Sequence, residues 1–134
     1  MTDLPTRLLV VDDDAAITQI YEEVLRRAGY DVVTAGSCAQ AMQQMDTLKG
    51  DVQVLLVDLG LPDGDGSEFV RDAAAKYGPR PTMFVSGWTD EFWQLDDAPG
   101  RWLIMRKPVA VTKLLAAMKW LAEGGDKPPE LDDR

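Results

Sequence analysis

Short apolar runs alternate along this chain with segments whose apolar residues recur every three or four positions, the period of an amphipathic helix. Leu8-Leu9-Val10-Val11 predicts a buried strand, β1. Ile17, Ile20, Tyr21, Val24, Leu25 and Ala28 then keep helical spacing and predict α1, with Asp14 as N-cap and Gly29 as the stop. Asp31 to Ala35 predicts β2. Ser37 followed by Gln40 is a capping box that opens α2, which runs through Leu48. Val52 to Val57, the longest run rich in Val and Leu, predicts β3 and leads into Asp58.

The stretch Gly60-Leu61-Pro62-Asp63-Gly64-Asp65-Gly66 is dense in turn residues and predicts a loop. A helix α3 follows from about Ser67 to Tyr77 and stops at Gly78. Met83-Phe84-Val85 predicts β4, closing on Ser86. Thr89 to Asp97 predicts a short α4, cut by Pro99-Gly100. Leu103 to Met105 predicts β5, leading to Lys107-Pro108. Val111, Leu114, Leu115, Met118 and Leu121 form the apolar stripe of α5, which Gly124-Gly125 ends. Asp126 to Arg134 is polar and Pro-rich, which predicts a domain over 1–125 followed by a tail or linker stub.

Strands alternating with helices imply an α/β fold around a parallel sheet with helices on both faces. Periodicity alone leaves the strand order open. In such sheets ligands bind beyond the carboxyl ends of the strands. There β1 ends in Asp12-Asp13-Asp14, β3 in Asp58 and β4 in Ser86, and β5 leads to Lys107. If β1 and β3 are neighbours, three or more carboxylates converge. Two like charges ~4 Å apart repel by on the order of 4 kcal/mol at an effective dielectric of ~20. A hard divalent cation relieves that repulsion, and oxygen ligation suits Mg²⁺. Lys107 adds a permanent positive charge. The set suits phosphoryl transfer: a carboxylate nucleophile, cations that neutralise the moving group, and a hydroxyl that bonds one of its oxygens.

Composition narrows the chemistry further. The 134 residues fit one domain, and 46% of them are hydrophobic. There is no histidine, so serine–histidine catalysis, histidine metal sites and a phosphohistidine on this chain are excluded. The net charge is −9, with 14 basic against 23 acidic residues, which argues against direct binding of DNA or RNA. One cysteine, Cys38, no secretion signal and no apolar run of membrane length point to a cytoplasmic setting.

Four fragments, in order and at matching spacing, carry a family resemblance. Val10-Val11-Asp12-Asp13-Asp14, Leu55-Leu56-Val57-Asp58-Leu59-Gly60-Leu61-Pro62-Asp63-Gly64-Asp65-Gly66, Val85-Ser86-Gly87 and Arg106-Lys107-Pro108 resemble the receiver domains of response regulators, over about residues 7–123. The resemblance implies a flavodoxin-like (βα)5 sandwich of strand order 2-1-3-4-5, which sets β1 beside β3. It implies that Asp58 is the phosphoacceptor, and that Asp13, Asp58 and the Gly60 carbonyl hold Mg²⁺ while Asp12 acts mostly through water. Ser86 and Lys107 would contact the phosphoryl group, and the Lys107-Pro108 bond would be cis. The implied donor is a phosphohistidine on a sensor histidine kinase or a histidine phosphotransfer protein, and the output face is α4-β5-α5.

The chain also departs from the family. A Tyr or Phe often stands three residues before the lysine; here it is Ile104, with Trp102 on the same strand face, so aromatic-coupled switching in its usual form is not expected. Val109 stands where Phe is common, and bulky Trp88, two residues after Ser86, is expected to alter the lifetime of a phosphoaspartate. Phe92, Trp93 and Trp102 read as packing around α4 or as a partner surface. Taken singly, Ser86 is uninformative, Lys107 reads as a surface lysine and the acids as a solvated turn. Two other functions fit parts of the pattern. A Mg²⁺-dependent phosphohydrolase of the haloacid-dehalogenase kind would need Thr or Val where Ala16 stands. An interaction module independent of phosphate would have no use for the full acid set.

Overall fold

Strands of Val, Leu and Met build one parallel sheet in the computed structural model, which describes residues 4–87, 95 and 97–131. The strands are β1 (Arg7–Val11), β2 (Asp31–Ala35), β3 (Val54–Asp58), β4 (Thr82–Ser86) and β5 (Trp102–Arg106). Their order is β2-β1-β3-β4-β5, the flavodoxin-like order that the resemblance implied. Four α-helices lie among the described residues: α1 (Ala15–Arg27), α2 (Cys38–Thr47), α3 (Gly66–Tyr77) and α5 (Val111–Glu123). The expected α4, with Trp88, Phe92 and Trp93, falls outside the described residues except for Leu95 and Asp97, and the last helix keeps the label α5.

Alternate side chains of each strand enter opposite cores, as the period of two requires. Leu8, Val10, Leu56, Met83 and Leu103 face α1 and α5, where Leu25, Leu114, Met118 and Leu121 meet them. Leu9, Val11, Leu55, Val57 and Phe84 face α2 and α3, where Met45, Phe69 and Val70 meet them. Full burial of each such side chain is worth roughly 1.5–3 kcal/mol, so these two layers dominate the stability. β3 and β4 are buried at every residue, which explains their continuous apolar runs.

The boundaries follow local chemistry. Asp14 caps α1, accepting from the Ala16 and Ile17 amides, and Gly29 after it has φ 100°. Ser37 caps α2 through the Gln40 amide. The return arm of the expected capping box is displaced: the Gln40 side chain accepts from Gly36 N–H, one residue before the cap. The expected loop 60–66 contains a two-residue antiparallel ribbon, Gly60–Leu61 against Gly64–Asp65. Asp65 then caps α3.

Two expectations about packing need correction. Ile20 and Val111, placed in apolar stripes, are 55% and 47% exposed, because the sheet-facing arc of each helix is narrower than the run of apolar residues. The segment 126–134 is not wholly a tail, since Pro129–Leu131 forms a 3-10 turn that buries Leu131 in the core beside α5. Trp102 packs edge-on against Phe84, with ring centroids 6.0 Å apart. No helix among the described residues is long and apolar enough to cross a membrane.

Candidate functional site

Strand register assembles the site. Val11 pairs with Val57, Asp58 with Val85, and Ser86 with Arg106, so the chain positions that follow β1, β3, β4 and β5 meet at one edge of the sheet. Carboxylate oxygens of Asp12, Asp13 and Asp58 lie within 4.8 Å of one another. Lys107 Nζ reaches between two of them, 3.0 Å from Asp12 Oδ2 and 3.0 Å from Asp58 Oδ2. Asp12 and Asp58 are buried, whereas Asp13 is exposed at the mouth.

The remaining oxygens of the buried pair are also held. Asp12 Oδ1 accepts from Asp14 N–H at 2.9 Å, and Asp58 Oδ1 accepts from Gly60 N–H at 3.1 Å. Gly60 therefore stands at the site, with its N–H on Asp58. Ser86 is buried at the end of β4, and its carbonyl accepts the Lys107 N–H at 2.9 Å, which joins the hydroxyl residue to the amine residue through the main chain. The Lys107-Pro108 bond is cis, as the resemblance implied. Thus Asp12, Asp13 and Asp58 come together, Lys107 pairs with Asp12 and Asp58, and Gly60 and Ser86 lie on the adjoining backbone.

Close packing behind the nucleophile candidate leaves it little freedom. A Cβ on Gly66 would lie 2.2 Å from the Asp58 carbonyl oxygen and 2.6 Å from Val57 Cγ1, so only glycine lets α3 start this close to β3.

Burial pushes the Asp58 carboxyl above the usual range against the pull of Lys107 and the Gly60 amide, and the Asp12 charge adds to the rise. For Lys107, burial opposes the charge, but the bonds to Asp58 and Asp12 outweigh it and hold its pKa above the ordinary value. Both shifts describe one pocket: the ammonium is strongly favoured, yet it is a single positive charge among three carboxylates. The formal excess of two negative charges, on hard oxygen donors, fits a divalent cation such as Mg²⁺. Asp12, Asp13 and Asp58 are the side chains that could hold it.

Several supporting residues carried no signal in the sequence. Thr18 Oγ1 donates to the carbonyls of Asp12 and Asp14 at 3.2 and 3.0 Å, bracing the acidic turn. Tyr21 lies in the field of the site: burial raises its phenol pKa and the Asp12 charge adds to this. Asp63, read as a turn residue, accepts from the Cys38 and Ala39 amides at the start of α2. Such partners lie up to 25 residues away, beyond the reach of local pattern.

The family model for the response regulator receiver domain matches residues 8–119. Among curated relatives, the sensor kinase CckA of Brucella abortus is 28% identical over 120 residues, which are 89% of this chain and 13% of that kinase. The transcriptional regulatory protein TrcR of Mycobacterium tuberculosis is 31% identical over 118 residues, 87% of this chain and 45% of that regulator. The chain thus spans less than half the length of either. Among solved structures, a CheY-like response regulator receiver domain protein from Methanospirillum hungatei superposes with a TM-score of 0.76 at 25% identity, covering 87% of this chain and 92% of that one. The receiver domain of the hybrid histidine kinase CckA gives 0.74 at 25% identity, covering 87% and 99%. With its sheet order, its acidic edge and a match that takes in most of its length, the chain belongs to the response regulator receiver domain family of two-component signalling.

Proposed function

We propose that this chain is a phosphoacceptor switch in which Asp58 takes a phosphoryl group from a phosphohistidine on a partner, a sensor histidine kinase or a histidine phosphotransfer protein. A carboxylate oxygen of Asp58 forms the new bond to phosphorus as the phosphorus–nitrogen bond of the donor breaks. The electron pair stays on the imidazole nitrogen, which takes up a proton from solvent. Both Asp58 oxygens are tethered, by Lys107 and by Gly60 N–H, so the nucleophile is oriented before the donor arrives. Lys107 neutralises an oxygen of the transferring group, and the Ser86 hydroxyl donates a hydrogen bond to another.

Mg²⁺, held by Asp12, Asp13, Asp58 and the Gly60 carbonyl, supplies charge neutralisation for the incoming phosphoryl group when bound. Beside Lys107 opens an apolar groove lined by Ile17, Ile20, Tyr21, Pro108 and Val109, which offers the donor a docking surface. The phosphoryl group adds roughly −1.5 to −2 charges, drawing Ser86 inward and altering the α4-β5-α5 face that an output partner reads. The observation that carries this reading is the single ammonium 3.0 Å from both Asp12 and Asp58.

The test is incubation with acetyl phosphate, with and without Mg²⁺, followed by phosphate-affinity electrophoresis. Wild type is expected to shift only with Mg²⁺, and Asp58→Asn not at all. An unshifted wild type, or equal labelling of Asp58→Asn, would overturn the proposal. Steady turnover of a generic phosphate ester would favour a phosphohydrolase instead.

A further inference from the structure

Between β3 and α3 the chain makes the small ribbon Gly60–Leu61/Gly64–Asp65, and the tip of that ribbon is tied to a different helix. Asp63 Oδ1 accepts from Cys38 N–H at 2.8 Å and Oδ2 from Ala39 N–H at 3.0 Å. Ser37 already serves the Gln40 amide, so Asp63 serves two more of the donors that α2 leaves open at its start. Those amide bonds, from Ala39 first and Cys38 next, hold the Asp63 carboxyl below the usual range. A carboxylate at a helix N-terminus also gains from the helix dipole. The other end of the segment is fixed by Gly66 N–H on the Leu59 carbonyl, 3.1 Å, and Gly60 N–H holds Asp58 Oδ1.

We infer that Asp63 is a positioning residue: by pinning the ribbon to α2 it fixes Gly60 against Asp58 and so presets the cation side of the pocket. This rests on the proposed role of Gly60 and Asp58 in Mg²⁺-assisted phosphorylation. Without the pin, the ribbon keeps its two ends, the buried Leu61 and the long Cys38 Sγ–Asp65 carbonyl contact of 3.8 Å, but loses its bonds to the α2 backbone, and Gly60 must be ordered further when the cation binds. That ordering weakens binding while leaving chemistry at saturating Mg²⁺ intact.

The experiment compares wild type, Asp63→Ala, Asp63→Asn and a charge control, Asp72→Asn, whose exposed carboxylate lies near the ribbon. Amide exchange of Gly60 and Gly66 is followed by NMR in the metal-free protein, and Mg²⁺ affinity by calorimetry. Asp63→Ala is expected to speed Gly60 exchange and to weaken Mg²⁺ binding by roughly fivefold, the low end of coupling between linked sites. The acetyl phosphate rate at saturating Mg²⁺ stays near wild type, and Asp63→Asn, which keeps one acceptor oxygen, recovers part of the loss. If Asp63→Ala and Asp72→Asn weaken Mg²⁺ equally while Gly60 exchange is unchanged, the effect is bulk charge and the inference falls. If wild type neither binds Mg²⁺ nor takes phosphate, the proposed function fails by itself. In that case the exchange comparison still decides whether Asp63 holds Gly60.

Discussion

Replacing Asp58 by Asn should stabilise the metal-free protein, because the proposed phosphoacceptor sits in a pocket that resists its charge. Asp12 and Asp13 offer oxygens within 4.8 Å, and at an effective dielectric of ~20 each such pair repels by about 3.5 kcal/mol. Lys107 at 3.0 Å attracts by about 5.5 kcal/mol on the same scale. Exposure of Asp13 weakens its share, so the charges nearly cancel and the desolvation of a carboxylate only 7% exposed decides the sign. That balance agrees with the upward shift of Asp58.

Asn keeps the shape and an acceptor for Lys107, so the expected gain is about 1–2 kcal/mol, or roughly 3–8 °C in Tm for a chain of this size. The pH dependence has a definite sign. Between the ordinary Asp pKa, about 3.9, and its elevated folded value, the native state binds more protons than the unfolded chain. Wild-type stability therefore falls as pH rises across that window, and the advantage of Asn shrinks below about pH 4. Saturating Mg²⁺ should reduce or reverse the advantage, because wild type then gains binding energy that the variant lacks. Thermal and urea unfolding in chelator at pH 7 provide the measurement; a less stable Asp58→Asn would refute the electrostatic reasoning.

Two other substitutions probe the frame around the site. Gly66→Ala places a methyl against the Asp58 carbonyl and Val57, and should destabilise by about 3 kcal/mol, the upper range of overpacking, seen as a lower urea midpoint. Leu131→Ala should cost about 2 kcal/mol if the C-terminal turn packs as described, and an unchanged midpoint would place Leu131 outside the core.

Much of this architecture is legible in the order of residues. Strands buried on both faces declare themselves as unbroken Val and Leu runs, so the positions of Asp12 and Asp58 at strand ends could be read directly. Asp14 was legible as a cap because a cap is a local event. That Asp12 and Asp58 are neighbours was not legible from period, since strand order depends on crossover connections; the family resemblance supplied it. Asp63 looks like any turn residue until α2, two dozen positions earlier, is folded beside it. Leu131 is a lone apolar residue in a polar stretch and has no period to betray its burial, while Ile20 and Val111 have the period and lie outside it. Gln40 kept the right spacing for its box, but its side chain accepts from Gly36 N–H.

The edge-on pairing of Phe84 and Trp102 gives the molecule a native optical gauge. Phe84 lies two residues before Ser86, and Trp102 sits on the adjoining strand, so any slip at that seam changes what the indole edge touches. Once Trp88 and Trp93 are replaced, its emission would register such a slip with no attached dye. Trp120, flanked by the cations of Arg101 and Lys127 at 5.3 and 5.8 Å, is anchored toward the far end of α5 and supplies a second indole against which that signal can be compared.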